Sequence, residues 1–198
     1  MPTDALAGLA DDYVDRLGAA LASLSRPQLV ELGEILGRAY RNGKQVFTVG
    51  NGGSSSLASH MAADLGKNTI GPNMRRFRIL SLNDNAAIVT ALANDLGYEN
   101  VFSEQLTNLI RAGDVLIVVS ASGNSPNIIK AMRYARVQSA EVVALLGFDG
   151  GQAAGLADLA IVVPSRDYGI VEDVHLVINH ILVEHFRTRL ALDLPWVV

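Results

Sequence analysis

Val115-Leu116-Ile117-Val118-Val119-Ser120-Ala121-Ser122-Gly123-Asn124-Ser125-Pro126 is the stretch that decides the fold class. Its first five residues are apolar throughout rather than alternating, which indicates a strand covered on both faces, as in a parallel sheet. A turn rich in serine and glycine follows. Pro126 fits the first turn of a helix, where no backbone donor is needed. The stretch therefore predicts a strand, a turn and a helix in direct succession.

The same alternation extends to both sides of this stretch. The other short apolar runs predict strands at 45–49, 77–82, 141–146 and 159–163. Helical patterns lie between and after the strands, at 54–66, 84–94, 101–111, 126–138 and 170–191. Alternating strands and helices predict a doubly wound α/β fold with a five-stranded parallel sheet.

Two amphipathic helices are predicted before the first strand. Apolar residues recur at steps of three and four from Leu6 to Leu24, and again over 28–41, with Ser25 as a candidate cap between them. We expect one domain over 1–198, with the helical pair in 1–43, the α/β core in 44–192 and a tail in 193–198. Trp196 in that tail either packs on a partner subunit or belongs to a frayed end.

Composition excludes several classes of protein. At 198 residues and 49% hydrophobic content the chain is long and apolar enough for a globular core. A net charge of −4 offers no attraction to nucleic acid or acidic membranes. There is no cysteine, so disulfides and thiolate-bound metals are excluded. The acidic N-terminal segment does not resemble a signal peptide and no apolar run reaches about 20 residues, so we expect a cytoplasmic protein.

Two strand-to-helix turns have the composition of a phosphate site. Gly50-Asn51-Gly52-Gly53-Ser54 follows the first strand, and Ser120–Ser125 follows the third. Ligands of doubly wound sheets bind at the carboxyl ends of the strands, and free amides at a helix N-terminus favour an anion. Either turn alone is also compatible with a merely tight turn. Neither matches a nucleotide-binding signature, so a small phosphorylated ligand is favoured.

Two pairs of ionisable residues fall on two predicted helices. His60 and Asp64 are four apart, which makes them neighbours on one helix face. Glu172 and His180 are eight apart, two turns along the last helix. If the helices meet, the four suit a divalent metal or acid–base chemistry on a sugar. Each also has a structural explanation: Glu172, for instance, favours the start of its own helix. His175 points about 140° from His180 and is not expected among the ligands.

These motifs resemble the sugar isomerase (SIS) domain family, and within it the phosphoheptose isomerases. The resemblance covers roughly 5–190 of the chain. The matching pieces are 50–54, His60, 93–98, 113–116, 120–125, 149–151, 157–158, 163–165, His175 and His180.

The resemblance implies a flavodoxin-like sheet, a homotetramer, and an aldose–ketose isomerase of heptose biosynthesis. The reaction converts sedoheptulose 7-phosphate to D-glycero-D-manno-heptose 7-phosphate through an enediol. It implies a divalent metal, commonly zinc, although two histidines with two carboxylates also suit manganese, iron or nickel. The implied metal ligands are His60, Asp64, Glu172 and His180, with Asp64 as catalytic base and His180 as acid–base partner. The implied substrate-binding residues are Asn51, Gly52, Gly53, Ser54, Asn94, Asp95, Ser120, Ala121, Ser122, Asn124, Ser125 and Glu172.

Three positions depart from the family pattern. Asp64 replaces a glutamate, Glu172 replaces a glutamine, and Asn68 replaces an arginine for which Arg75, Arg76 or Arg78 could compensate. An aspartate withdraws the carboxylate by one C–C bond, and a shift near 1 Å costs roughly a hundredfold in rate. Two alternatives therefore stay open: an isomerase of a different sugar phosphate, and a non-catalytic SIS paralogue that binds a sugar phosphate or a protein partner.

Overall fold

A computed structural model describes residues 3–71 and 75–192, so the predicted contact of Trp196 lies outside the described residues. The strands are β1 (Gln45–Gly50), β2 (Arg78–Ser81), β3 (Val115–Ser120), β4 (Glu141–Leu146) and β5 (Leu159–Val162). All neighbouring strands are parallel, in the order β2-β1-β3-β4-β5. This is the flavodoxin-like order, and it confirms the predicted doubly wound sheet.

The helices alternate with the strands as predicted. They are α1 (Thr3–Ala22), α2 (Arg26–Arg41), α3 (Gly53–Lys67), α4 (Ala86–Leu96), α5 (Val101–Leu109), α6 (Pro126–Val137), α7 (Gly151–Ala154) and α8 (Tyr168–Leu192). Ser25 caps α2 as expected, since its hydroxyl accepts a hydrogen bond from the Gln28 amide. The pattern missed α7 because four residues are too few for a helical period. None of the helices described between 3 and 192 combines the length and apolar character that a bilayer span requires.

Both faces of the sheet are covered, which explains the uniform apolar run of β3. All six residues of β3 are buried. Val115, Ile117 and Val119 pack on the side of α1, α2, α3 and α8. Leu116 and Val118 pack on the opposite side, against α5 and α6. Each such side chain contributes about 1.5–3 kcal/mol when fully buried, so a polar residue anywhere in β3 would be costly.

The sheet order places the two predicted ligand loops side by side. β1 and β3 are neighbours, and Gly50 at the end of β1 pairs with Val119 near the end of β3. The chain leaves β1 and β3 in opposite directions across the sheet: α3 packs with α8 on one face, and α6 packs with α5 on the other. This is the switch point of the sheet, where ligands of such folds bind.

His175 is a buried histidine of α8 that holds the helix to the sheet. Its Nε2 lies 3.0 Å from the carbonyl oxygen of Leu146 at the end of β4, so Nε2 is the donor. Burial lowers the pKa of His175 from 6.5 to about 4, although the hydrogen bond to Leu146 opposes this shift. The imidazole is therefore neutral in the folded protein at pH 7. His175 is also not grouped with His60 and His180, as the helix geometry predicted.

We expect the stability of the protein to fall between pH 6.5 and 4 because of His175. In that range the unfolded chain binds a proton at this imidazole and the folded chain does not, so acid favours unfolding. The full effect is about 3 kcal/mol, reached below pH 4. His175→Gln keeps an N–H donor without a titration, so urea unfolding should show a flatter pH dependence than in the parent. His185→Gln, an exposed position of the same helix, should keep the parental slope. Equal slopes in the parent and His175→Gln would contradict this account.

Candidate active site

Three of the four predicted metal ligands converge between α3 and α8. The donor atoms of His60, Asp64 and His180 all lie within 4.8 Å of one another. Asp64 Oδ2 is 3.1 Å from His60 Nε2 and 3.8 Å from His180 Nε2. The two imidazole rings meet edge to face at 5.4 Å between centroids. Two imidazoles and one carboxylate in this arrangement can hold a divalent cation or relay protons.

The exposure of these side chains suits a site that meets a ligand from solvent. The side chains of His60 and His180 are 44% and 55% exposed, whereas that of Asp64 is 12% exposed. Asp64 is fixed by two amides, because Asn68 Nδ2 donates to Oδ1 at 2.8 Å and Asn179 Nδ2 donates to Oδ2 at 2.9 Å. The carboxylate is thus the buried and hydrogen-bonded member of the site, and the two imidazoles are its solvent-exposed members.

Glu172, the fourth predicted ligand, is not brought into this group. Its carboxylate lies against Gly53, where an added Cβ would meet both carboxylate oxygens at 2.4 Å. Eight residues of α8 span about 12 Å, so Glu172 and His180 face different turns of α3. Glu172 therefore lies at the N-terminus of α3, where a carboxylate is favourable. It occupies the end of a neighbouring helix rather than stabilising its own, and its role as a metal ligand stays a prediction.

The glycine-rich turn after β1 is joined to neighbouring elements by hydrogen bonds of asparagine side chains. Asn51 and the buried Asn127 exchange two side-chain hydrogen bonds of 2.9 Å, and the hydroxyl of Tyr98 donates to Asn51 Oδ1 at 2.9 Å. Gly52 precedes α3 with φ of +56°, a conformation that favours glycine. Ser54 lies buried in the first turn of α3. The first turn of α3 thus offers backbone amides beside a polar wall formed by the asparagines.

The serine-rich turn after β3 is folded onto the turn that leads into α7. Ser120 Oγ accepts the Gly123 amide at 3.1 Å, and Ser122 Oγ accepts the Asn124 amide at 3.3 Å. The Ala153 amide donates to the Gly123 carbonyl at 3.0 Å, and Asn124 Oδ1 accepts the Gln152 amide. Ser125 begins α6 without a side-chain capping bond. The loop is therefore fixed in shape, with the Ser125 hydroxyl available to a ligand.

The other predicted site residues lie farther from these contacts. Asn94 and Asp95 are exposed near the end of α4, and the Asn94 amide donates to Asp95 at 2.8 Å. No described hydrogen bond joins either residue to the two loops. Arg78 is at the opposite end of the sheet, where its guanidinium donates to the Gly43 carbonyl at 3.0 Å. Within one chain, Arg78 therefore does not replace the arginine that the resemblance implied at Asn68.

Several side chains that shape the site were not predicted from the sequence. They are all uncharged: Asn83, which exchanges hydrogen bonds with the backbone of Gly50, and Tyr98, Asn127 and Asn179. Asn179 precedes His180 within an otherwise apolar part of α8, and a polar residue at a position of the buried face was the available signal.

Comparison with known proteins decides the family, since the model of the SIS domain matches residues 12–147. The chain belongs to the SIS domain family. A phosphoheptose isomerase from Pelobacter propionicus is 39% identical over 158 residues, which cover 80% of this chain and 83% of the relative. One from Mycobacterium tuberculosis is 41% identical over 159 residues, which cover 80% and 81%. These identities place this SIS domain protein among the phosphoheptose isomerases.

Solved structures agree with this placement. The phosphoheptose isomerase from Neisseria gonorrhoeae superposes on this SIS domain protein with a TM-score of 0.85 at 28% identity. The match covers 95% of this chain and all of the other. Both proteins therefore share the whole fold, including the helices that bring His60, Asp64 and His180 together.

Proposed function

We propose that this SIS domain protein is an aldose–ketose isomerase that converts sedoheptulose 7-phosphate to D-glycero-D-manno-heptose 7-phosphate. The main support is the convergence of His60, Asp64 and His180 on α3 and α8, since α3 also begins directly after the glycine-rich turn. The names of the relatives support the choice of substrate. In this proposal the isomerisation of sedoheptulose 7-phosphate is the step that the protein catalyses in heptose biosynthesis.

The two loops bind the substrate in this proposal. Ser120, Ser122 and Ser125, with the backbone of Ala121 and Asn124, bind the phosphate. Asn51, Gly52, Gly53, Ser54 and Glu172 contact the sugar hydroxyls, and Asn94 and Asp95 complete the pocket from α4. The position of Glu172 at the N-terminus of α3 supports its contact with the sugar, because Gly53 leaves space for its carboxylate.

The chemistry takes place at the histidines and the aspartate. Isomerisation moves a proton between C1 and C2 through an enediol, and requires a base at carbon and an acid at oxygen. In our proposal Asp64 accepts the proton from C1 of the ketose and returns it to C2. His180 exchanges the hydroxyl proton between the two oxygens. The open position of the His180 ring supports this role, since its side chain is 55% exposed.

The same residues fit a divalent cation. Two imidazole nitrogens and a carboxylate oxygen within 4.8 Å form the ligand set of a catalytic zinc site, which leaves one position for substrate. We propose that His60, Asp64 and His180 hold zinc, with Glu172 as a further ligand if its side chain leaves Gly53. When bound, the ion acts as a Lewis acid that polarises the carbonyl group.

Assembly and location complete the proposal. We propose a homotetramer in the cytoplasm, where charged sugar phosphates are retained because they do not cross a bilayer. Exposed apolar side chains support an interface between subunits: Leu6, Leu9 and Val14 on α1, and Ile88 and Leu96 on α4, are between 42% and 73% exposed. Such apolar surface is typical of a face that another subunit covers.

A turnover assay tests the proposal. Purified protein is incubated with sedoheptulose 7-phosphate, with and without added zinc, and formation of the aldose phosphate is followed. We expect turnover that is lost on chelation and restored by the metal. Turnover only with another ketose phosphate would support the proposed type of reaction and refute the proposed substrate. Absence of both turnover and metal uptake would favour the non-catalytic alternative.

A further inference from the structure

Asn179 is a fully buried amide with one partner. It has 0% exposure in α8, and its Nδ2 donates to Asp64 Oδ2 at 2.9 Å. Its Oδ1 is buried and accepts no hydrogen bond from the described residues. The opposite orientation of the amide would set Oδ1 against a carboxylate oxygen, so Asp64 determines the orientation. A buried acceptor without a partner lowers the stability of the folded protein. A contact that is kept despite this cost is typical of a functional site, which indicates that the hydrogen bond to Asp64 serves function rather than stability.

Asn68 holds the other oxygen of the same carboxylate. It ends α3 one turn after Asp64, and its Nδ2 donates to Asp64 Oδ1 at 2.8 Å. Its backbone amide also donates to the Asp64 carbonyl at 2.7 Å. An aspartate has a broad terminal torsion, so a carboxylate free of partners would sample many orientations. With an amide on each oxygen, rotation of the carboxylate requires that both bonds break.

We propose that Asn179 is a positioning residue that, together with Asn68, fixes the Asp64 carboxylate for cation binding and catalysis. This inference rests on the proposed function and deepens it. A carboxylate accepts about four hydrogen bonds or ligands. The two amides occupy one position on each oxygen and leave Oδ2 directed at the gap between His60 and His180, at 3.1 and 3.8 Å from their Nε2 atoms. The three donor atoms are thereby ordered before a cation or substrate arrives.

A purely structural role for Asn179 predicts the opposite response to one substitution. Asn179→Leu keeps the branched shape of the side chain and replaces a half-satisfied amide by an apolar group. If Asn179 serves stability, this variant melts at a lower temperature and binds the cation as before. If Asn179 positions Asp64, the variant melts at the parental temperature or higher, and binds the cation more weakly.

The test compares Asn179→Leu with the parent after removal of bound metal. We expect zinc affinity, measured by competitive titration, to fall about 10- to 100-fold, as is typical when the partner of a metal ligand is lost. We expect a similar fall in kcat, a change in KM of less than about threefold, and no loss in melting temperature. Asn108→Leu, an exposed position on α5, is the matched control and should leave all four quantities unchanged.

The possible outcomes separate this inference from the proposed function. Zinc affinity within threefold of the parent would overturn the positioning role, whatever the melting temperature. Weakened zinc binding in a protein whose parent has no isomerase activity would support the positioning role and refute the proposed function. If Asn179→Leu does not fold, Asn68→Leu provides the same test. Asn68 is exposed, and its substitution removes the hydrogen-bond donor to the other oxygen of Asp64.

Discussion

Asp64→Asn should lower kcat for sedoheptulose 7-phosphate by about a thousandfold while the protein remains folded. The substitution removes the carboxylate that accepts the carbon-bound proton, and groups of this kind contribute about 10²–10⁴-fold. In the parent protein the side-chain amides of Asn68 and Asn179 donate to the Asp64 carboxylate. The substitution replaces this acceptor of two hydrogen bonds by an amide, which has only one acceptor oxygen. Steady-state kinetics and circular dichroism on the same preparations give the two quantities.

The companion and control variants separate chemistry from folding. His180→Ala should cause a comparable loss of kcat with little change in melting temperature, because the His180 side chain is more than half exposed. Asp173→Asn should keep parental kcat, since that carboxylate instead accepts a hydrogen bond from Tyr13 at 2.7 Å. Near-parental activity in Asp64→Asn or His180→Ala would contradict the roles that we propose for them.

Gly123→Ala should damage both stability and substrate binding. Gly123 has φ of +62°, and an added Cβ would lie 2.0 Å from the carbonyl oxygen of Gly150. The backbone conformation alone costs about 1–3 kcal/mol in a non-glycine residue, and the overlap forces the serine loop away from Gly150. We expect a melting temperature lower by about 10 °C, which corresponds to roughly 3 kcal/mol or more. We also expect KM to rise by about a hundredfold.

A second glycine provides the control for this variant. Gly18 lies in α1, where an added Cβ would meet no atom within 4 Å. Gly18→Ala should raise stability by up to about 1 kcal/mol, because alanine favours a helix, and should leave KM unchanged. If Gly123→Ala had the KM and melting temperature of the parent, the shape of the serine loop would not be required for phosphate binding.

The fold was predictable because its signals are local and repeated. The uniform apolar run of β3 follows directly from burial on both faces of the sheet, and α6 begins at Pro126 as the proline requires. The pairing of His60 with Asp64 follows from a four-residue step on one helix, which fixes both side chains on one face. These predictions depended on distances along the chain that helix and strand geometry determine.

The remaining parts of the site depend on how separate elements meet. Glu172 and His180 share a helix, yet the 12 Å between them along α8 brings only His180 to Asp64. Asn127 and Asn179 are uncharged and buried, and nothing in their own sequence neighbourhood identifies their partners Asn51 and Asp64. The sequence presents Asp64 only as a glutamate shortened by one carbon. The structure adds that two side-chain amides give its carboxylate a defined orientation.

Isotope incorporation tests the central proposal, isomerisation through an enediol, most directly. The protein is incubated with sedoheptulose 7-phosphate in D₂O, and the aldose phosphate formed is examined by ¹H NMR. A base that exchanges its proton with solvent between C1 and C2 predicts deuterium at C2 of the product. Aldose product with deuterium at C2 is the result that the account predicts, and bound sugar phosphate without any aldose product would contradict it.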